Sequence, residues 1–195
     1  GVTLLGGFAR AAEQALLEAL AGVIADAPPR HMLTPGGQRM SAALTSCGPL
    51  GWISDRAGYR YSATDPASGR PWPAMPVAFL ALARQAAARA GFGGFEPDAC
   101  LVNRYGPGAR MSLHQDRDER DLWAPIVSVS LGLPATFLLG GATRAVRPDP
   151  FGRLHTPRTI WSAWRGSTPR FMAISTVSSN LALARSRTSL TAWSP

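Results

Sequence analysis

From Ala99 onward the chain breaks into short segments whose apolar residues recur at every second position, and this change of period limits the folds open to it. Residues 100–105, 112–116, 126–131 and 136–139 alternate in this way, parted by turns rich in glycine and proline. Two helical patterns precede them. In residues 10–27, Leu16, Leu17, Leu20, Val23 and Ile24 recur at helical spacing before Pro28-Pro29 stops the run. A second, alanine-rich helix is expected over 76–91, ended by Gly91. Between them, residues 30–76 carry Gly, Pro, Ser and aromatics, the composition of a long functional loop region with short strands. Helices followed by many short strands imply an α+β fold built on a β-sandwich or jelly roll.

Composition narrows the function class. A chain of 195 residues that is 46% hydrophobic suits one domain with a packed core. No apolar run reaches the length of a membrane span. Residues 15–25 are apolar, but Glu18 and Asp26 interrupt or bound them, so they read as a core helix and not as a signal peptide. The chain starts with Gly1 and not Met, so an upstream start is expected. Cys47 and Cys100 are isolated and form no CxxC signature, which fits buried thiols in a reducing cytoplasm. A net charge of +8 favours a polyanionic partner such as nucleic acid. Every one of the 20 basic residues is arginine, a bias that a GC-rich gene also produces, so charge alone decides little.

The sharpest local signal is His114-Gln115-Asp116. On a strand, residues i and i+2 face the same side, so the imidazole and the carboxylate would point into one space. Such a pair is two thirds of a 2-His-1-carboxylate Fe(II) site, which leaves positions open for O2 and a bidentate 2-oxo acid. A lone HxD is more often a solvated surface pair; here its flanks matter. Asn103-Arg104-Tyr105-Gly106-Pro107-Gly108 leads into it, Arg117-Asp118-Glu119 follows, and Ala124-Pro125-Ile126-Val127-Ser128-Val129-Ser130-Leu131-Gly132 comes next. Upstream stand Thr34-Pro35-Gly36-Gly37, Met40-Ser41, Cys47-Gly48, Leu50-Gly51-Trp52 and Pro71-Trp72-Pro73. In order and spacing, these blocks closely resemble the AlkB-type Fe(II)- and 2-oxoglutarate-dependent dioxygenases that repair alkylated DNA and RNA.

The resemblance, spanning roughly residues 2–150, implies a double-stranded β-helix (jelly-roll) core with N-terminal helices and a nucleotide-recognition lid. It implies that Fe(II), O2 and 2-oxoglutarate together hydroxylate an N-alkyl group, after which the hemiaminal releases an aldehyde. His114 and Asp116 would bind iron; Asn103 and Tyr105 would bind the 2-oxoglutarate carboxylates. Trp52 would stack on the extruded base and Tyr59 would contact the nucleotide backbone. Thr34, Met40 and Ser112 would line the substrate groove, with Asp118 beside the exocyclic amine as both substrate contact and catalytic group. An aromatic platform suits this chemistry, because a base taken out of its stack recovers part of the lost energy on it. The implied substrates are 1-methyladenine- and 3-methylcytosine-type lesions in single- or double-stranded DNA, or in RNA. The protein would act as a cytoplasmic monomer away from membranes.

After about residue 150 the likeness fails. Asp149 is the last acidic residue, and beyond Thr156 the alternation is poor. The family's second iron-binding histidine, in a His-Gly context, should fall near Phe171-Met172-Ala173, where none stands. The other histidines are His31 and His155, and His155 comes too early. The terminal arginines that clamp 2-oxoglutarate are also missing from 188–195, although Arg185 and Arg187 lie nearby. A shifted reading frame between Gly141 and His155 accounts for all of this, because Phe-Met-Ala codons read one base earlier can spell His-Gly. The expectation is therefore a dioxygenase domain over 1–150 and an aberrant tail over 151–195 whose closing strands are disrupted. The alternative function is a catalytically inactive nucleic-acid-binding remnant of such an enzyme.

Overall fold

The computed structural model describes residues 2–114 and 123–132 and, beyond them, the strand segments 136–139, 154–155, 161–164, 172–175 and 179–184. Helix α1 spans Glu13–Asp26 and α2 spans Val77–Arg89. The strands are β1 (Val2–Leu4), β2 (Ala43–Cys47), β3 (Gly51–Asp55), β4 (Gly58–Ser62), β5 (Ala99–Arg104), β6 (Arg110–His114), β7 (Val127–Leu131), β8 (Thr136–Leu139), β9 (Leu154–His155), β10 (Trp161–Trp164), β11 (Met172–Ser175) and β12 (Ser179–Ala184). They form a six-stranded sheet in the order β1-β10-β7-β12-β5-β2, a four-stranded sheet in the order β6-β11-β8-β9, and the β3–β4 hairpin. All the strand pairs are antiparallel. From β5 on the chain passes back and forth between the two large sheets, β8 and β9 being consecutive in the four-stranded one, and this is the connectivity of a jelly roll.

Both helices cover one face of the six-stranded sheet. Leu16, Leu20 and Val23 of α1 are buried at i, i+4 and i+7; Phe79, Leu82, Ala83, Ala86 and Ala87 of α2 follow the same stripe. They meet Cys100 and Val102 of β5 and Val127, Val129 and Leu131 of β7, the alternate residues of those strands, in one cluster. Fully buried side chains such as Leu16 and Phe79 contribute about 1.5–3 kcal/mol each. Leu17, on the other side of α1, is 39% exposed. Helix α2 ends in a Schellman motif: Phe92 N–H reaches the Ala87 carbonyl at 2.8 Å, Gly91 N–H reaches Ala88 at 3.0 Å, and Gly91 takes φ +88°. Cys47 and Cys100 are directly opposite across β2–β5, free and fully buried; hydrogen bonding from Cys47 and then burial push the Cys100 thiol up, so both stay inert. Among the described residues no helix is long and apolar enough to cross a membrane.

On the sheet's other face lies a second cluster, joining Met32, Ala42, Leu44, Ile53, Trp72, Tyr105 and Ala109. It ties the 27–75 region to the ends of β2 and β5. Trp72 is its keystone: its Nε1–H donates to the Ser62 carbonyl at 3.0 Å, and Arg30, ion-paired with buried Asp65, sits 5.6 Å over its ring. Gly51 permits this, since a Cβ there would meet the Trp72 ring at 2.2 Å.

One sequence expectation changes and one lies partly outside the described residues. Strand β6 is described as far as His114, and Asp116, at the expected end of that strand, lies outside the described residues. The closing strands are not disrupted as backbone. Segment β12 pairs with β5 from Ser179↔Arg104 to Ala184↔Ala99 and with β7 on its other side, and β11 lies between β6 and β8. The physical reason is that a central strand needs hydrogen-bonding backbone on both edges, not alternation. Neither Gly nor Pro occurs in 172–175 or 179–184 to prevent the pairing.

Candidate active site

The site is built at the end of β5. Asn103 and Tyr105 are both buried, and Arg104 between them lies on the opposite face. Among the described residues the Asn103 Oδ1 atom has no hydrogen-bond partner, as is true of Thr45 Oγ1 and Ser46 Oγ on β2. A buried polar atom left this way costs about 1–3 kcal/mol. Tyr105 packs in the apolar cluster and directs its hydroxyl to Met111 Sδ at 3.7 Å. Met40, Trp52 and Met111 pack against the same cluster. Met111 did not stand out in the sequence; the signal was its place on the strand that carries His114.

His114 reaches this face through a bulge. Across β6–β11, Met111 opposes Ile174 and His114 opposes Met172, so two residues on β6 face one on β11 between those pairs. The extra residue reverses the parity of the strand. His114 therefore shares a side with Met111, three positions back, and not with the residue two positions back as regular alternation implies. Its Nδ1 lies 2.7 Å from the Ser112 carbonyl. A carbonyl only accepts, so Nδ1 carries the hydrogen, and in that neutral tautomer Nε2 keeps a free lone pair.

The ladder position directly across from His114 is occupied by Met172. Residues so opposed have Cβ atoms about 4.5–5.5 Å apart, a separation that suits two ligands of one metal. The other histidines are elsewhere. His155 is on β9, three strand spacings or about 14 Å from β6. His31 follows Arg30, which bridges to Leu44, and so lies with Ala43 on the helix-covered face, its Nδ1–H donating to the Met40 carbonyl at 2.8 Å. Among the described residues no group of three or more His, Cys, Asp or Glu side chains could hold a metal. Toward a carboxylate only the Tyr105 hydroxyl and the Asn103 side-chain N–H can donate; the unsatisfied Asn103 Oδ1 is an acceptor and calls for a donor instead. For iron, the donor set of His114 and the undescribed Asp116 is one short of a facial triad.

The β3–β4 hairpin and the loop before it carry further candidate residues. Trp52 and Tyr59, diagonal neighbours on the β3–β4 hairpin, stack with ring centroids 5.5 Å apart and planes at 18°. Tyr59 is 46% exposed. Arg60 grips Asp55 with two hydrogen bonds of 2.6 and 2.9 Å; these, with the Ala57 N–H, hold the Asp55 carboxyl at about 2. Thr34 closes its own turn, its Oγ1 accepting from Gln38 N–H at 3.1 Å, and Gly37 supports that turn with φ +79°. Ser112 is exposed on β6. Asp118 falls outside the described residues.

Residues 1–158 match the family described as the 2OG-Fe(II) oxygenase superfamily. The chain belongs to that superfamily. Within it the chain is of AlkB type. It is 50% identical over 171 residues, 88% of this chain and 78% of the relative, to the alpha-ketoglutarate-dependent dioxygenase AlkB of Salmonella typhimurium. The AlkB of Escherichia coli matches at the same identity and coverage, and the AlkB homolog of Caulobacter vibrioides is 48% identical over 133 residues, 68% of this chain and 59% of its own length. The solved structure of OsALKBH1 superposes with a TM-score of 0.72 over 95% of this chain and 98% of its own, at 20% identity, which supports the jelly-roll fold alone.

Proposed function

We propose that this superfamily member oxidatively dealkylates N-alkylated bases in nucleic acid, with Fe(II), O2 and 2-oxoglutarate as the reacting set. The observation that carries the reading is the convergence of Tyr105, Met111, Met40 and Trp52 on one apolar cluster at the end of β5, with Asn103 buried two residues before Tyr105. Asn103 and Tyr105 would hold the carboxylates of 2-oxoglutarate; O2 is the oxidant, and oxidative decarboxylation of 2-oxoglutarate supplies two of the four electrons that reduce it, the N-alkyl group the other two. Around them the apolar cluster excludes water and strengthens every hydrogen bond made inside. Trp52 would stack on the extruded base, and Tyr59, stacked on it now, would turn to the nucleotide backbone. Thr34, Met40 and Ser112 would border the groove, and Asp118 would sit beside the exocyclic amine. His114 and Asp116 would be the iron's protein ligands. The substrates of this reading are 1-methyladenine- and 3-methylcytosine-type lesions in DNA or RNA, handled by a cytoplasmic monomer whose 27–75 region is the nucleotide-recognition lid. Residues 151–195 would be an aberrant tail from a shifted frame.

A second reading is favoured by one observation, the methionine at the ladder position facing His114. On it the chain binds alkylated nucleic acid without turnover. Formaldehyde release from methylated single-stranded DNA, measured beside binding of the same oligonucleotide, decides between them. Slow release that requires both 2-oxoglutarate and the methylated base supports the first reading. Binding without release selects the second, and neither binding nor release contradicts both.

A further inference from the structure

A cavity of about 540 Å³ opens on the face of the sheet opposite Asn103. Pro29, His31, Ser41, Ala43, Arg104 and the turn at Gly106–Ala109 line it. Its floor follows from strand register. Arg104 opposes Ala43 across β5–β2, and His31 continues that row because its neighbour Arg30 bridges to Leu44. The row carries a guanidinium, an imidazole and, at the rim, the Ser41 hydroxyl, which accepts from Arg110 N–H at 3.0 Å. No carboxylate is among the described residues of the lining. Three arginines pair with acids, Arg30 with Asp65, Arg60 with Asp55 and Arg84 with Glu96; Arg104 makes no ion pair or side-chain hydrogen bond among the described residues. The turn is bare as well: a Cβ at Gly106 or Gly108 would meet nothing within 4 Å.

An unpaired guanidinium in a carboxylate-free concavity is an anion site, and its planar fork suits phosphate. Its location identifies the source of that phosphate. His31 is held by the Met40 carbonyl, and Ser41 is the next residue along. Met40 itself packs on the cluster that holds Trp52 and Tyr105. A strand whose base reaches Trp52 across Met40 therefore passes next to Ser41 and the cavity mouth. We infer that this pocket seats a backbone phosphate of the nucleic-acid strand outside the nucleotide whose base is treated, with Arg104 as its principal contact. The inference rests on the nucleic-acid reading above.

The test compares a methylated trinucleotide, too short to reach the pocket from the site, with a methylated single strand of about fifteen nucleotides, over a range of salt. In Arg104→Gln, the long-to-short affinity ratio should fall about threefold to tenfold, and the salt slope for the long strand should shrink by about one contact. Arg104→Lys should restore the slope. An unchanged ratio and slope in Arg104→Gln, or an equal loss for both oligonucleotides, would overturn the assignment. If the parent binds neither oligonucleotide, the nucleic-acid reading itself has failed. The pocket is then judged with inorganic phosphate: ³¹P line broadening lost in Arg104→Gln upholds an anion site, and its absence in the parent overturns one.

Discussion

Asn103 is buried beside Tyr105, and its side-chain oxygen, like Thr45 Oγ1 and Ser46 Oγ, finds no hydrogen-bond partner among the described residues, which costs free energy. Replacing it with a leucine of similar volume removes that cost. Asn103→Leu should therefore keep or raise thermal stability while weakening 2-oxoglutarate binding about tenfold or more, since a hydrogen bond to a charged group is worth about 1.5–3 kcal/mol. Calorimetric titration with 2-oxoglutarate and a melting curve on the same variant check both halves; loss of stability with unchanged binding would make Asn103 a packing residue. Trp52 has the complementary role on the lid. Stacking on an aromatic contributes about 1–3 kcal/mol per base, so Trp52→Ala should weaken binding of methylated single-stranded DNA about tenfold at fixed salt. The circular dichroism spectrum must match the parent. Unchanged affinity would mean that the Trp52–Tyr59 stack only holds the hairpin together.

At the scale of elements, the lid depends on how closely β3 approaches Trp72. Gly51→Ala places a methyl 2.2 Å from that ring and 2.7 Å from Ser46 Cβ, so the hairpin must shift or Trp72 must leave its seat. Overpacking of this kind costs about 1–3 kcal/mol. The expected outcome is a lower melting temperature together with a change in tryptophan fluorescence; a melt identical to the parent's would mean the hairpin moves freely. Both helices and strands β5 and β7 were legible in the sequence, because each buries one face and so writes its period of 3.6 or 2 into the residues. Strand β6 was legible as a strand, but the side to which His114 turns was not. That depends on an extra residue relative to β11, and a bulge is a property of two strands together. Strands β10, β11 and β12 were illegible because pairing there follows the open edges of β5, β7 and β8, not a pattern of their own. The anion pocket left no local motif, since His31, Ser41 and Arg104 come from three separate segments.

At the scale of the whole molecule, the proposed site keeps Asn103 and Tyr105 for the co-substrate but lacks the terminal arginines the family resemblance calls for, and its proposed metal ligands, His114 and Asp116, are one short of a facial triad. The shortfall lies at a defined place: position 172, across the ladder from His114. The His-Gly context missing from the sequence was expected over the same residues, so register and motif spacing agree on it. Anaerobic titration of Fe(II), with Co(II) absorbance as a spectroscopic check, into the parent and into Met172→His is the most direct test. The account predicts weak binding by the parent, and binding at least tenfold to a hundredfold tighter by Met172→His, by analogy with the effect of supporting groups at metal sites. Tight Fe(II) binding by the parent with no gain in Met172→His would contradict it, and would mean that the third ligand comes from another part of the chain.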